Sequence, residues 1–172
     1  DTAVLRVDAL RRFVDAKASR EAKLAHTVKA VHVLDRAILA NRFDDVDEIV
    51  LAMVKARLSN EVVGERRTRA LRLRDQYVEF VKPAQTRLES NPNDPQANQI
   101  VGEFVAFGKL LWDEGLPHLA KGSDPLLAQA AKRALAQPAD AVSQLALADL
   151  WHSAALEKKP PERGPLLGRA EM

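Results

Sequence analysis

The chain contains no cysteine, which excludes disulfides, thiolate metal sites and a cysteine nucleophile and leaves the redox compartment open. Aromatic residues make up only 5% of the 172 residues. Leu, Ala and Val must then supply most of the buried area, which suits closely packed helices better than a sheet drawing on aromatic and β-branched side chains. No apolar run approaches the roughly 18 residues needed to span a bilayer, so no membrane insertion is expected. An excess of one charge is lacking too: 26 Lys and Arg nearly cancel 24 Asp and Glu, leaving +2. Such a balance does not by itself mark a nucleic-acid or membrane binder. Nucleophile elbows of the Gly-x-Ser-x-Gly type and phosphate loops of the Gly-x-x-x-x-Gly-Lys type are absent.

What remains is a chain 47% hydrophobic and 29% charged, outside the composition of disordered segments. Its length allows roughly 70% of the unfolded surface to be buried on folding. Apolar residues recur at helical spacing: Ala3, Val7, Leu10 and Val14 form one stripe, and Leu24, Val28, Val31, Leu34 and Ile38 the next, with Ser19 as an N-cap between them. "NRF" interrupts, and Val46, Ile49, Val50, Met53 and Val54 form a third stripe. Its first turn holds Asp44, Asp45, Asp47 and Glu48, which oppose the positive end of a helix dipole. A long segment from about Asn60 to Asn91 places Ala70, Leu73, Tyr77, Phe80, Ala84 and Leu88 on one face, with Pro83 predicting a kink or break near Val81.

Asn91-Pro92 ends that helix; Asp94 caps the next, with Pro95 in its first turn. The same punctuation recurs at Gly122, Ser123 or Asp124, and Pro125, and again at Gln137-Pro138 before a helix through Leu145, Leu147, Leu150 and Trp151. After "EKKPPERGP", Pro165 opens a last helix. No stretch alternates with period two for long enough to make a strand. The expectation is an all-α chain of about eight or nine helices.

"ILANRFDDVDEIVLAMVKA" and "FGKLLWDEGLPHLAKGSDP" share a plan of helix, short turn, aromatic, two acidic residues and apolar helix. Their aromatics, Phe43 and Trp112, lie at about twice the roughly 34-residue period of tetratricopeptide hairpins. The chain resembles that family: "NPNDPQANQIVGEF" looks like an inter-repeat turn and first helix, with Val101-Gly102 at the Leu-Gly positions. "WDEGLPHLAKG" looks like a second helix with Gly115 at a small-residue position, and "LALADLW" repeats the pattern with Leu147, Ala148 and Trp151. The order of these segments also resembles a helical stretch of large modular proteins of planctomycete bacteria. That resemblance implies a connecting or interaction domain of an exported or periplasmic protein; a cytoplasmic location is the alternative. It brings no catalytic residues and no cofactor.

The organisation expected is one α-helical repeat domain over 1–172, cut from a longer protein. Residues 1–91 would hold N-terminal hairpins with a long helix, and 92–172 the tetratricopeptide-like hairpins, with the last helix truncated. The first helix of each such hairpin lines the inner face, so Asn98, Phe104, Lys109 and His152 are the candidate partner contacts. Trp112, Asp113, Glu114 and His118 have two residue types of a catalytic or metal site. They lack a third ligand, so Trp112 is read as a wedge between helices, Gly115 as a close approach and Glu114–His118 as a surface pair. Arg66, Arg67, Arg69, Arg72 and Arg74 crowd nine residues; Arg66, Arg69 and Arg72 are the candidate anion contacts. The function expected is a non-catalytic scaffold for a protein partner or a neighbouring module. Polyanion binding through Arg66–Arg74 is the alternative, and a hydrolase or metal enzyme ranks behind both.

Overall fold

The computed structural model describes residues 20–58 and 60–171, with only the backbone of Arg20, Ala22 and Lys23. The stripe Ala3, Val7, Leu10 and Val14 and the cap at Ser19 lie outside the described residues. Every regular element within them is helical. The chain divides into two compact units, Asp1–Asp75 and Gln76–Met172. The division expected inside a single domain, at Asn91, thus falls earlier, because the helix that ends at Ser90 packs on the helix after it.

In the N-terminal unit, α1 (Arg20–Leu39), α2 (Phe43–Lys55) and α3 (Glu61–Gln76) follow one another. α1 packs on α2. Its buried face is Ala30, Leu34, Ala37 and Ile38; Leu24 and Val28, expected on that stripe, are about three-fifths exposed at 61% and 62%. α2 buries Phe43, Val46, Ile49, Ala52 and Met53, so the acidic first turn does mark its start. α3 adds Val63, Ala70 and Leu73. The Asn60 side chain accepts a hydrogen bond from the Val63 N–H at 2.8 Å, an N-cap for α3.

Both reversals in this unit use a left-handed residue that is not glycine. After α1, Asn41 (φ 56) and Arg42 donate back to the carbonyls of Ile38 and Ala37, a Schellman motif in which Asn tolerates the conformation. After α2, Arg57 (φ 51) and Leu58 donate to Val54 and Met53 in the same pattern, with Leu58 buried. Arginine has no local hydrogen bond to offset the left-handed backbone. We expect Arg57→Gly to stabilise the unit by about 1 kcal/mol, measured by urea unfolding followed at 222 nm; a destabilised variant would show that the side chain contributes more than the backbone loses.

The C-terminal unit opens with a π-helical turn, Tyr77–Val81, continued by α4 (Lys82–Ser90) with Pro83 in its first turn. This is how the chain accommodates Pro83: the wider turn closes from the Lys82 N–H to the Tyr77 carbonyl, one residue before the position that has no N–H to give. The extra residue delays the buried face by one position. Val81 and Ala84 are buried, whereas Phe80, expected on that face, is half exposed.

α5 (Pro95–Glu103) is capped by Asp94, whose carboxylate accepts from the Ala97 N–H at 2.8 Å, and passes into a second π turn, Phe104–Gly108. α6 (Trp112–Leu119), α7 (Pro125–Leu135), α8 (Ala141–Glu157) and α9 (Arg163–Ala170) complete the unit. Asp124, not Ser123, caps α7, accepting from Leu126 and Leu127; Asp140 caps α8. α9 begins at Arg163, two residues before Pro165. Each helix packs mainly on its chain neighbours, α4 on α5, α5 on α6, and so on to α8 on α9. The core is Ala106, Phe107, Leu116, Leu119, Leu127, Ala130, Ala131, Trp151, Ala154, Ala155 and Leu166.

Candidate functional site

The densest chemistry lies where α5 and its π turn cross α6. Two glycines allow the crossing. A Cβ on Gly115 would stand 2.7 Å from the Ala106 Cβ and 2.8 Å from its backbone nitrogen, and one on Gly102 would stand 2.8 Å from the backbone nitrogen of Leu119. The backbones therefore approach more closely than any two side-chain-bearing residues permit. Leu110, at φ 63, reverses the chain between them, and the N–H groups of Lys109 and Leu111 turn back to the carbonyls of Phe104 and Val105.

Asn98 sits beside this crossing, 1% exposed. Its amide nitrogen donates to the carbonyls of Pro92 (3.0 Å) and Asp94 (2.9 Å), which leaves the amide oxygen facing the His118 Nδ1 at 2.9 Å. With the oxygen as acceptor, the hydrogen must be on Nδ1, and protonation of the ring takes place at Nε2. The pair ties the inter-helix turn, α5 and α6 together. It also corrects the expected Glu114–His118 surface pair, since the His118 ring turns inward to Asn98, and Glu114 instead acts on the Lys109 ammonium.

Burial lowers the His118 pKa from its ordinary value, and the nearby Lys121 lowers it further. Because the folded value lies below the unfolded one, the unfolded chain takes up the proton first as pH falls. Stability contributed at this site is complete above the unfolded value, near 6.5, and is lost as pH drops from there toward the folded value. The expected result is a melting temperature that falls between pH 7 and 5 more steeply in the natural chain than in His118→Gln, which can still donate to Asn98. Parallel curves would show that His118 does not carry the pH dependence.

Lys109 is 7% exposed, with its ammonium 5.7 Å from the Phe104 ring centroid. Burial lowers its pKa, partly opposed by Glu114. The Phe104 ring, 6% exposed, lies 5.9 Å from that of Tyr77. Of the four residues expected to line a groove, Asn98, Phe104 and Lys109 are therefore interior, and a partner at the surface cannot reach Asn98 or Phe104; His152 alone is exposed. Asn98 is turned inward by its bonds to the Pro92 and Asp94 carbonyls and to His118, Phe104 by its packing near Tyr77, and only the residues after Phe104 have their phase set by the π turn.

Trp112 does act as a wedge. Its ring lies 5.5 Å from that of Phe107 and 5.6 Å, edge-on, from that of Trp151, with the Arg169 guanidinium 5.5 Å above it. A polar clamp joins α5, the start of α7 and the end of α8. The Lys158 ammonium, at the end of α8, bonds Glu103 at 2.8 Å and reaches Asp124 at 3.2 Å, while Gln99 donates to Glu103 and accepts from the Asp124 N–H. No sequence motif announces it, because its members come from three separate segments.

In the N-terminal unit, two of the five arginines of α3, Arg66 and Arg74, bond carboxylates, while the Arg67 Nε is buried with no hydrogen-bond partner among the described residues. Arg66 reaches Asp35 at 3.4 Å; Arg74 bonds both oxygens of Asp47 at 2.5 Å and Asp75 at 2.8 Å. Burial lowers the Arg69 pKa, Arg66 adds to the effect and Asp35 opposes it. An anion at Arg66, Arg69 and Arg72 would have to compete with Asp35. Among the described residues, no group of three or more His, Asp or Glu side chains could hold a metal ion, and Asp113, Glu114, His118 and His152 do not form such a group.

Compared with known proteins, the chain matches no family model, no curated protein and no solved structure.

Proposed function

We propose that this chain is a non-catalytic interaction domain built of tetratricopeptide-like hairpins, which recognises a protein partner or an adjoining module through its helical surface. The observation that carries this reading is the neighbour-by-neighbour packing of α4 to α9, the arrangement in which stacked hairpins contact only adjacent ones. The two close approaches at Gly102 and Gly115 support it, since both glycines stand where the resemblance places small residues. The polar groups at the α5–α6 crossing are spent on one another: Asn98 on two carbonyls and His118, Lys109 under Phe104. They hold helices in place, and recognition falls to the outer faces.

The test is capture with the immobilised chain, followed by titration of each purified partner. A protein that binds saturably, with affinity little changed across a tenfold range of salt, is the expected result. Double-stranded DNA bound instead, with affinity falling steeply as salt rises, would replace this reading with polyanion binding.

A further inference from the structure

Sequence and burial disagree most along α8. From Ala141 to Leu156 the helix carries one formal charge, Asp149, and apolar residues occur on all its sides, as in a helix with neighbours all round. One side has them. Trp151, Ala154 and Ala155 are buried in the core of the C-terminal unit, and Leu147 and Leu150 pack against it. The opposite side is open: Val142 is 79% exposed, Leu145 65% and Leu156 61%, and Asp149 and His152 are exposed as well. These five positions follow a 3-4-3-4 spacing and fall within an arc of about 80° on a helix. That is the seam of a two-helix pair with one helix missing.

We propose that this seam pairs with the same seam of a second copy of the chain, in antiparallel orientation about a two-fold axis. It rests on the interaction-domain reading and names one partner for it. The argument is self-complementarity. Asp149 with His152 and Leu145 with Leu156 share one midpoint, between Leu150 and Trp151, so a two-fold axis there sets both pairs in opposition at once. Asp149 meets His152 of the second copy twice, and Leu145 meets Leu156 of the second copy twice, each an a-to-d′ contact of an antiparallel coiled coil. A parallel pairing would set Asp149 against Asp149. The scarcity of charge along α8 is what the centre of a protein interface requires. Two helices that overlap over about 20 Å make a small interface, so the dimer forms by mass action at micromolar concentrations rather than permanently.

The experiment is sedimentation of the full chain from about 5 to about 500 µM. The expected result is a concentration-dependent monomer–dimer equilibrium, weakened at least about tenfold by Leu145→Glu and unchanged by Val62→Glu, an equally exposed site in the other unit. Asp149→Lys should weaken the dimer, and adding His152→Glu to it should restore the affinity, which no effect on folding would do. Leu145 is exposed, so its variant is expected to melt with the natural chain and to keep its helical circular dichroism. A monomer throughout, a dimer indifferent to Leu145→Glu, or no rescue by the charge swap each overturns the proposal. A monomer that still binds another protein removes the two-fold surface and leaves the interaction reading standing; a dimer that captures nothing else keeps the two-fold surface and confines the interaction reading to self-association.

Discussion

Replacing Trp151 with alanine is expected to cost about 3–5 kcal/mol, enough to remove most of the stability of a small domain. The residue is 1% exposed, lies edge-on to Trp112 and belongs to the same cluster as Phe107, Leu119 and Leu127. Alanine would leave a void among α6, α7 and α8 that only large shifts could close. Trp151→Phe is expected to cost far less. The indole nitrogen is buried with no hydrogen-bond partner among the described residues, so phenylalanine keeps a ring in the site and removes a donor whose desolvation is uncompensated. Urea unfolding followed by circular dichroism measures both. Equal losses in the two variants would show that the indole edge, and not the bulk of the ring, is what the core requires.

Gly115→Ala is the second large effect, and its sign is the informative part. Inside a helix this change ordinarily gains up to about 1 kcal/mol, because alanine loses less backbone entropy. Here the new methyl would meet the Ala106 backbone nitrogen at 2.8 Å, and a backbone atom cannot rotate aside. Separating α6 from the π turn is expected to outweigh the gain and leave a net loss of about 2–3 kcal/mol. Gly64 in α3 provides the contrast, since a Cβ there meets nothing within 4 Å. Gly64→Ala is expected to stabilise by about 0.5–1 kcal/mol. If both glycines respond with the same sign in thermal unfolding, close approach is not the reason for Gly115.

The helices were legible in the sequence because their ends are chemically marked. Asp94-Pro95 and Asp124-Pro125 each supply a cap whose oxygen accepts from the first free N–H groups, and in the structure each does so. Gly115 was legible for a related reason, since a glycine inside an apolar helix is costly unless something lies against it. The inward residues of α5 and its continuation were not. Their assignment to an inner face came from the resemblance to tetratricopeptide first helices, which says nothing of the hydrogen bonds that draw Asn98 inward or of the π turn at Phe104–Gly108, which has no glycine or proline at its start. The clamp of Glu103, Asp124 and Lys158 escaped for a different reason: local spacing says nothing about charges 55 residues apart. Likewise the arginines of α3 read as a cluster along the chain, while the carboxylates that engage them are on α1 and α2 as well as on α3 itself.

The two π turns, Tyr77–Val81 and Phe104–Gly108, each hold one residue more than an ordinary coil of the same height. The second is the place where the length of this polypeptide is negotiable. Deleting a single amino acid within Phe104–Gly108 would let the spiral tighten locally to its common pitch, whereas Tyr77–Val81 keeps its extra residue for the sake of Pro83. The same deletion elsewhere in these rods would swing every later side chain by about 100° and pull the greasy faces away from what they cover.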